Sequence, residues 1–321
     1  MTDHRPGRPR DLSDLLGDLS FVRERTSTVP GRFVLSVHPT GHATLPPPGG
    51  QAASHPDTVR VEHSGDDAYV TDGASLLHVE ARSGRATARI APGFEERPLP
   101  LRHRFWAYGI TTLLRQQRLF ALHAGGVSTP RGDHLLLVGP SGSGKSTITI
   151  GLIRAGGGFL SDDAVLLRTA EDGIDALTFR KPFSIDAARA ADYPDLVAPV
   201  VRPQGTRARK RRADALRTYR SQSLRCFRPR AIIFPCIVAQ PASALRELPR
   251  SEALSHLLAQ SGPELFDGPT MSAHLDVLGR LLRQTTAYEL RGGQDLHRAP
   301  ERLIDLLEHT TGAAWPGSSS N

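Results

Sequence analysis

Gly139, Pro140, Ser141, Gly142, Ser143, Gly144, Lys145, Ser146 and Thr147 satisfy the pattern G-x-x-x-x-G-K-[ST] at every fixed position. In such a run the glycines let successive backbone N–H groups turn inward around a phosphate at a helix N-terminus. Lys145 would then reach the β- and γ-phosphate oxygens, and Ser146 would offer its hydroxyl to Mg²⁺. The chemistry implied is the holding of a nucleoside triphosphate. The apolar segment from Leu135 to Val138 and the helical pattern from Ser146 to Arg154 supply the strand and helix that must flank the loop. Lysine is rare here: Lys145, Lys181 and Lys210 are the three among 40 Lys and Arg residues, so a compact ammonium stands where phosphate chemistry wants one.

A second group follows at a telling distance. Asp162 and Asp163 lie 17 and 18 residues after Lys145. A helix of about 10 residues covers about 15 Å and the chain must then return. If the returning segment is a parallel strand of a βαβ unit, its carboxyl end falls on the same sheet edge as the loop. Neighbouring side chains on an extended backbone point to opposite sides. Asp162 can therefore help to hold Mg²⁺ while Asp163 faces an incoming hydroxyl as general base, the division of labour of a phosphoryl transferase. The competing reading of the pair is a turn cap.

The elements that must position these groups can be read around them. Leu12, Leu15, Leu16 and Leu19 predict a short amphipathic helix, and alternating runs between Gly31 and Pro98 predict an antiparallel meander. Helical spacing from Leu101 to Gln117 leads into a strand from Leu119 to Val127 that carries His123. A hairpin is predicted for Ala164 to Arg168 and Ala176 to Arg180, a buried strand for Ala231 to Val238, and helices for Ser251 to Ser261, Met271 to Arg283 and Arg298 to His309. The expected organisation is an N-terminal helix plus β-rich region over residues 1–100, an α/β catalytic domain over 101–312, and a disordered tail over 313–321.

With 321 residues, 39% of them hydrophobic, the chain can bury a sizeable core. No stretch has the length and apolarity of a membrane span or a signal peptide, which implies a cytoplasmic protein. Cys226 and Cys236 are too few for a zinc cluster, and Cys236 lies in an apolar run expected to be buried. The formal net charge of +7 comes from arginine spread along the chain, so nucleic acid is not an expected partner. The dense run from Arg207 to Arg212 reads as a solvated loop, with a dock for an acidic or phosphorylated substrate as the alternative.

From Leu122-His123-Ala124-Gly125-Gly126-Val127, through Leu136-Leu137-Val138-Gly139 and the phosphate loop, to Gly158-Phe159-Leu160-Ser161-Asp162-Asp163, the sequence resembles the HPr kinase/phosphorylase family. The likeness spans roughly residues 120–180. It implies a P-loop kinase domain of the HPr kinase and phosphoenolpyruvate carboxykinase type, with ATP and Mg²⁺ as cofactors. It also implies an active-site role for His123, a magnesium role for Ser146, a base role for Asp163, and a tendency to form homo-oligomers. Two features depart from the family pattern. Thr178 stands where a magnesium-binding glutamate precedes an arginine, here Arg180, and the Pro-Gly-Arg-Asn signature is absent. What remains is similar to the divergent kinases that tailor ribosomally made peptides, lasso peptides among them.

Together these features imply an ATP-dependent kinase whose acceptor is the serine hydroxyl of a peptide or protein, with no membrane partner. In that scheme Arg180 or an arginine between 225 and 230 neutralises developing charge. The alternatives are a small-molecule alcohol as acceptor, a nucleotide-switched binding protein that hydrolyses its ligand slowly, and a non-catalytic scaffold of the same fold.

Overall fold

The computed structural model describes residues 34–40, 59–81, 83–179, 183–186, 192–194, 196, 210–213, 218–219, 222–262, 270–299 and 301–311. The predicted N-terminal helix and the C-terminal tail lie outside them. By its contacts the chain divides into two units, Met1–Ala121 with Pro263–Leu275, and Leu122–Gly262 with Asp276–Asn321.

In the first unit, period-two alternation builds a sheet from β1 (Val34–Pro39), β2 (Arg60–Ser64), β3 (Asp67–Thr71), β4 (Leu76–Glu80) and β5 (Arg85–Ile90). Ala68, Val70, Leu77, Val79, Ala86 and Ala88 face inward and are buried. Strands β2 to β5 form the expected antiparallel meander, whereas β1 pairs with β5 in parallel at the far edge. Helix α1 (Leu99–Gln116) lays Phe105, Trp106 and Leu113 over this sheet, and Phe94, Phe105 and Trp106 meet edge to face. The helix therefore belongs with the meander, and the division falls after Ala121 rather than near residue 100.

The predicted single strand over Leu119 to Val127 is broken at His123 into β6 (Phe120–Leu122) and β7 (Ala124–Ser128). Then come β8 (His134–Val138), α2 (Lys145–Arg154), β9 (Phe159–Ser161) and the predicted hairpin, β10 (Val165–Ala170) with β11 (Gly173–Thr178). Further on lie β12 (Phe183–Asp186), β13 (Lys210–Ala213), β14 (Cys226–Phe227), β15 (Ala231–Ile237) and β16 (Ala244–Glu247). Helices α3 (Arg250–Ala259) and α4 (Met271–Gln284), strand β17 (Thr286–Gly292), and helices α5 (Gln294–Arg298) and α6 (Arg302–Thr311) complete the described chain. The main sheet of the second unit has the order β16-β17-β15-β8-β7-β9, beside a sheet ordered β14-β11-β10-β6.

Strand β8 reads His-Leu-Leu-Leu-Val with only its first residue partly exposed, as a central strand covered on both faces must. Two expectations are corrected in this unit. The thiol of Cys236 is exposed, because β15 pairs with β8 only from Ala231 to Ile233 and its last four residues run past that neighbour, the final two, Cys236 and Ile237, uncovered. That overhang also accommodates Pro235, which cannot donate to a ladder. The end of the basic run, Lys210 to Arg212, is strand paired with β12 rather than loop.

Candidate active site

The phosphate loop leaves the carboxyl end of β8 and enters α2. Gly144 is the N-cap at φ 102, a left-handed conformation that a side chain would strain. No side chain caps α2, so its first-turn N–H groups are left to the loop and whatever anion the loop encloses. Lys145, only 6% exposed, donates from Nζ to the carbonyl oxygens of Gly139 at 2.5 Å and Pro140 at 2.9 Å. Its ammonium is thus folded across the mouth of the loop.

Strands β8 and β9 both run antiparallel to β7, which lies between them, and are therefore parallel to each other. The spacing predicts Asp162 and Asp163 at the loop's edge on a neighbouring parallel strand. The direction is right, but an antiparallel strand is interposed, which separates β8 from β9 by about 10 Å at the usual inter-strand spacing. Helix α2 spans that gap. Ser146, in its first turn, donates from Oγ to Asp162 Oδ2 at 3.1 Å.

The two carboxylates face differently, as neighbours on extended backbone should. Asp162 is buried at 3% exposure, whereas the Asp163 side chain is 48% exposed and its Oδ1 lies 3.2 Å from His123 Nε2. His123 occupies the break between β6 and β7, held by its backbone N–H to the Gln260 carbonyl. The loop, His123 and the acidic pair thus meet at one rim of three adjacent strands.

Behind this rim the turn after β9 is pinned by hydroxyls. Ser161 Oγ, fully buried, lies 2.5 Å from the Ala164 carbonyl and 3.0 Å from that of Phe179. Thr178 donates from Oγ1 to the Leu160 carbonyl at 2.7 Å, and its backbone N–H bonds to Arg225. The position read as a missing magnesium ligand is therefore a buried clamp on the strand that bears the acids. The sequence does not mark Ser161 or Thr178 as supporting the site, because their hydroxyl bonds join segments 18 residues apart and leave no local pattern.

The arginines sort by strand direction. Arg180 lies outside the described residues. Arg230 bonds through its N–H to the carbonyl of His134, the first residue of β8, and so sits at the opposite end of that strand from the loop. Arg228 pairs with Asp175 and Asp172 at the β10–β11 turn. Neither reaches the rim, which corrects the expectation for them. Arg225 stands across from Thr178, at the rim end of β11.

The residues present suit a triphosphate with a divalent cation. Besides the uncapped helix start and the Ser146–Asp162 pair, Ser143 Oγ is buried within the loop with no hydrogen-bond partner among the described residues. Such an orphaned hydroxyl is expected where a ligand oxygen completes the set. Among the described residues no cluster of three His, Cys, Asp or Glu forms a metal site by itself. Nor, among them, is any helix long and apolar enough to cross a membrane.

No family description matches the sequence, and no curated protein matches it. Among solved structures the chain is similar to one titled "Structure of the Hpr(Ser) kinase/phosphatase from Coxiella burnetii", at 11% identity and a TM-score of 0.32, over 60% of this chain and 92% of that one.

Proposed function

We propose that this protein is an ATP-dependent kinase that phosphorylates an alcohol, the serine hydroxyl of a peptide or protein. One observation carries the proposal: a complete phosphate loop, a buried aspartate on the loop's serine and an exposed aspartate on a histidine share one sheet edge. Bound ATP with Mg²⁺ would supply the phosphoryl group and the charge that stabilises its transfer.

The chain's own residues divide the remaining work. Lys145 exchanges its two carbonyl acceptors for phosphate oxygens, and Ser146 with Asp162 holds the cation side of the ligand. Asp163 accepts the proton of the acceptor hydroxyl, whose oxygen forms the new bond to phosphorus as the β,γ-bridging bond breaks and ADP leaves. An isolated aspartate is a weak base, with a pKa of about 3.9. Positioning and charge neutralisation do most of the work in phosphoryl transfer, so a weak base in the right place suffices. His123 fixes the orientation of the Asp163 carboxylate through its 3.2 Å contact.

The test is incubation of the purified chain with γ-labelled ATP, Mg²⁺ and a library of serine-containing peptides. Label on peptide serine supports the proposal. Label on small alcohols alone moves the acceptor class, and free phosphate alone replaces the kinase with a nucleotide-hydrolysing switch.

A further inference from the structure

Strand β7 is the spacer between the two halves of the candidate site, and its composition is unusual for a strand. It reads Ala-Gly-Gly-Val-Ser, buried throughout, where β-branched or aromatic residues would be expected. Gly125 and Gly126 lie towards its rim end, two and three residues beyond His123. A Cβ on Gly126 would stand 2.7 Å from Leu160 Cδ2 and 3.0 Å from Leu160 Cβ, a clash with a buried core side chain of β9 and not with the groups of the site. Gly125 differs. Its Cβ would stand 3.1 Å from Thr149 Oγ1 on α2 and 3.3 Å from the carbonyl oxygen of Asp162. One contact is with the helix that carries Ser146, the other with the backbone of the buried acid.

We propose that Gly125 is a positioning residue that sets the separation of Ser146 and Asp162, and through it the grip of the site on the divalent cation. This rests on the nucleotide-binding reading above. Thr149 can turn about χ1, since threonine in a helix has two accessible rotamers. The Asp162 carbonyl is main chain, and moves only if the residue moves. A methyl at 125 therefore displaces Asp162 by a few tenths of an ångström, away from β7. The Ser146–Asp162 bond is already 3.1 Å, long for a hydroxyl on a carboxylate, whose usual range is about 2.5–2.7 Å. Lengthened by that amount, the pair stands at about 3.5 Å, the limit of a hydrogen bond.

The test compares wild type, Gly125→Ala and Gly125→Ala/Thr149→Ala. In the variant's own crystal structure without nucleotide, the Ser146 Oγ to Asp162 Oδ2 distance is expected to lengthen by a few tenths of an ångström, to about 3.5 Å; an unchanged distance overturns the steric inference. ATP binding in EDTA, which reads the loop alone, is expected to match wild type. The Mg²⁺ concentration giving half-maximal ATP turnover is expected to rise about 10–100-fold, the range for displaced support of a metal ligand. The double variant removes the Thr149 contact but keeps the backbone one, so its Mg²⁺ dependence is expected to stay shifted. Recovery of wild-type dependence would show that the glycine accommodates the helix, and would overturn the proposal. Should the single variant not fold, the less crowded double variant carries both readouts. Displacement of Asp162 in a protein whose wild-type ATP binding ignores Mg²⁺ would leave the steric inference standing and defeat the proposed function.

Discussion

Replacing Lys145 by methionine isolates the ammonium from the stem. Nζ donates to the carbonyls of Gly139 and Pro140 at 2.5 and 2.9 Å. Binding exchanges these neutral acceptors for phosphate oxygens. Because the donor is an ammonium, the bonds involve charge in both states, at about 1.5–3 kcal/mol each, and replacing a neutral carbonyl by an anionic oxygen moves a bond from the low to the high end of that range. The exchange thus gains about 1–1.5 kcal/mol per bond, or about 2–3 kcal/mol for two. At 1.4 kcal/mol per factor of ten, Lys145→Met should weaken ATP binding about 30–150-fold. Titration with a fluorescent ATP analogue at two ionic strengths measures this, and the variant should also show a smaller salt dependence because one screened attraction is gone. Lys145→Arg should not restore affinity, since the ammonium is enclosed at 6% exposure and a planar guanidinium needs a wider cradle. Binding by Lys145→Met within about threefold of wild type, below 0.7 kcal/mol, would refute the placement of the ammonium on the phosphates.

Three further outcomes are expected. Asp163→Asn should lower phosphoryl transfer about 10²–10⁴-fold while ATP affinity stays near wild type, as loss of a general base does; equal losses in both would assign the residue to binding instead. Thr178→Val keeps the volume but removes the bond to Leu160, and should lower stability by about 1–2 kcal/mol in denaturant unfolding; no change would show that the clamp contributes nothing. His274, 1% exposed and stacked on Phe120, has its pKa lowered to about 4 by burial and by the Arg115 charge. It is therefore neutral when folded but takes up a proton near pH 6.5 when unfolded. Stability is unaffected by it above pH 6.5, falls as pH drops from 6.5 towards 4, and is lower by about 3 kcal/mol below that. His274→Leu should flatten this part of the pH profile, and equal acid sensitivity in both proteins would exclude the histidine as its source.

Much of the site was legible because its signals are local. The loop has a fixed pattern, and its flanks announce a strand and a helix within a dozen residues. The aspartates fell on the right edge because a helix of fixed rise forces the chain to return there. Topology was less legible: nothing in Ala124 to Ser128 declares that this strand runs between β8 and β9, so the acids were expected one strand closer than they lie. Strands β16 and β17 went unread because Ala244–Glu247 and Thr286–Gly292 mix charged and apolar residues and are placed by pairing partners far away in sequence. Cys236 was misassigned for a related reason: an apolar run announces a strand, but where its neighbour stops decides which residues are covered. The hydroxyls of Ser161 and Thr178 show the same limit, since their acceptors were fixed only by the fold.

The proposed function requires that Ser146 and Asp162 meet the cation of a bound triphosphate. A crystal structure of the full chain with a non-hydrolysable ATP analogue, with Mn²⁺ in place of Mg²⁺ and located by its anomalous scattering, measures this directly. The predicted result is a metal ion on Ser146 Oγ and on the Asp162 carboxylate, directly or through one water, with Asp163 facing the γ-phosphate. Metal and γ-phosphate bound away from this rim, with both aspartates turned from them, would contradict it.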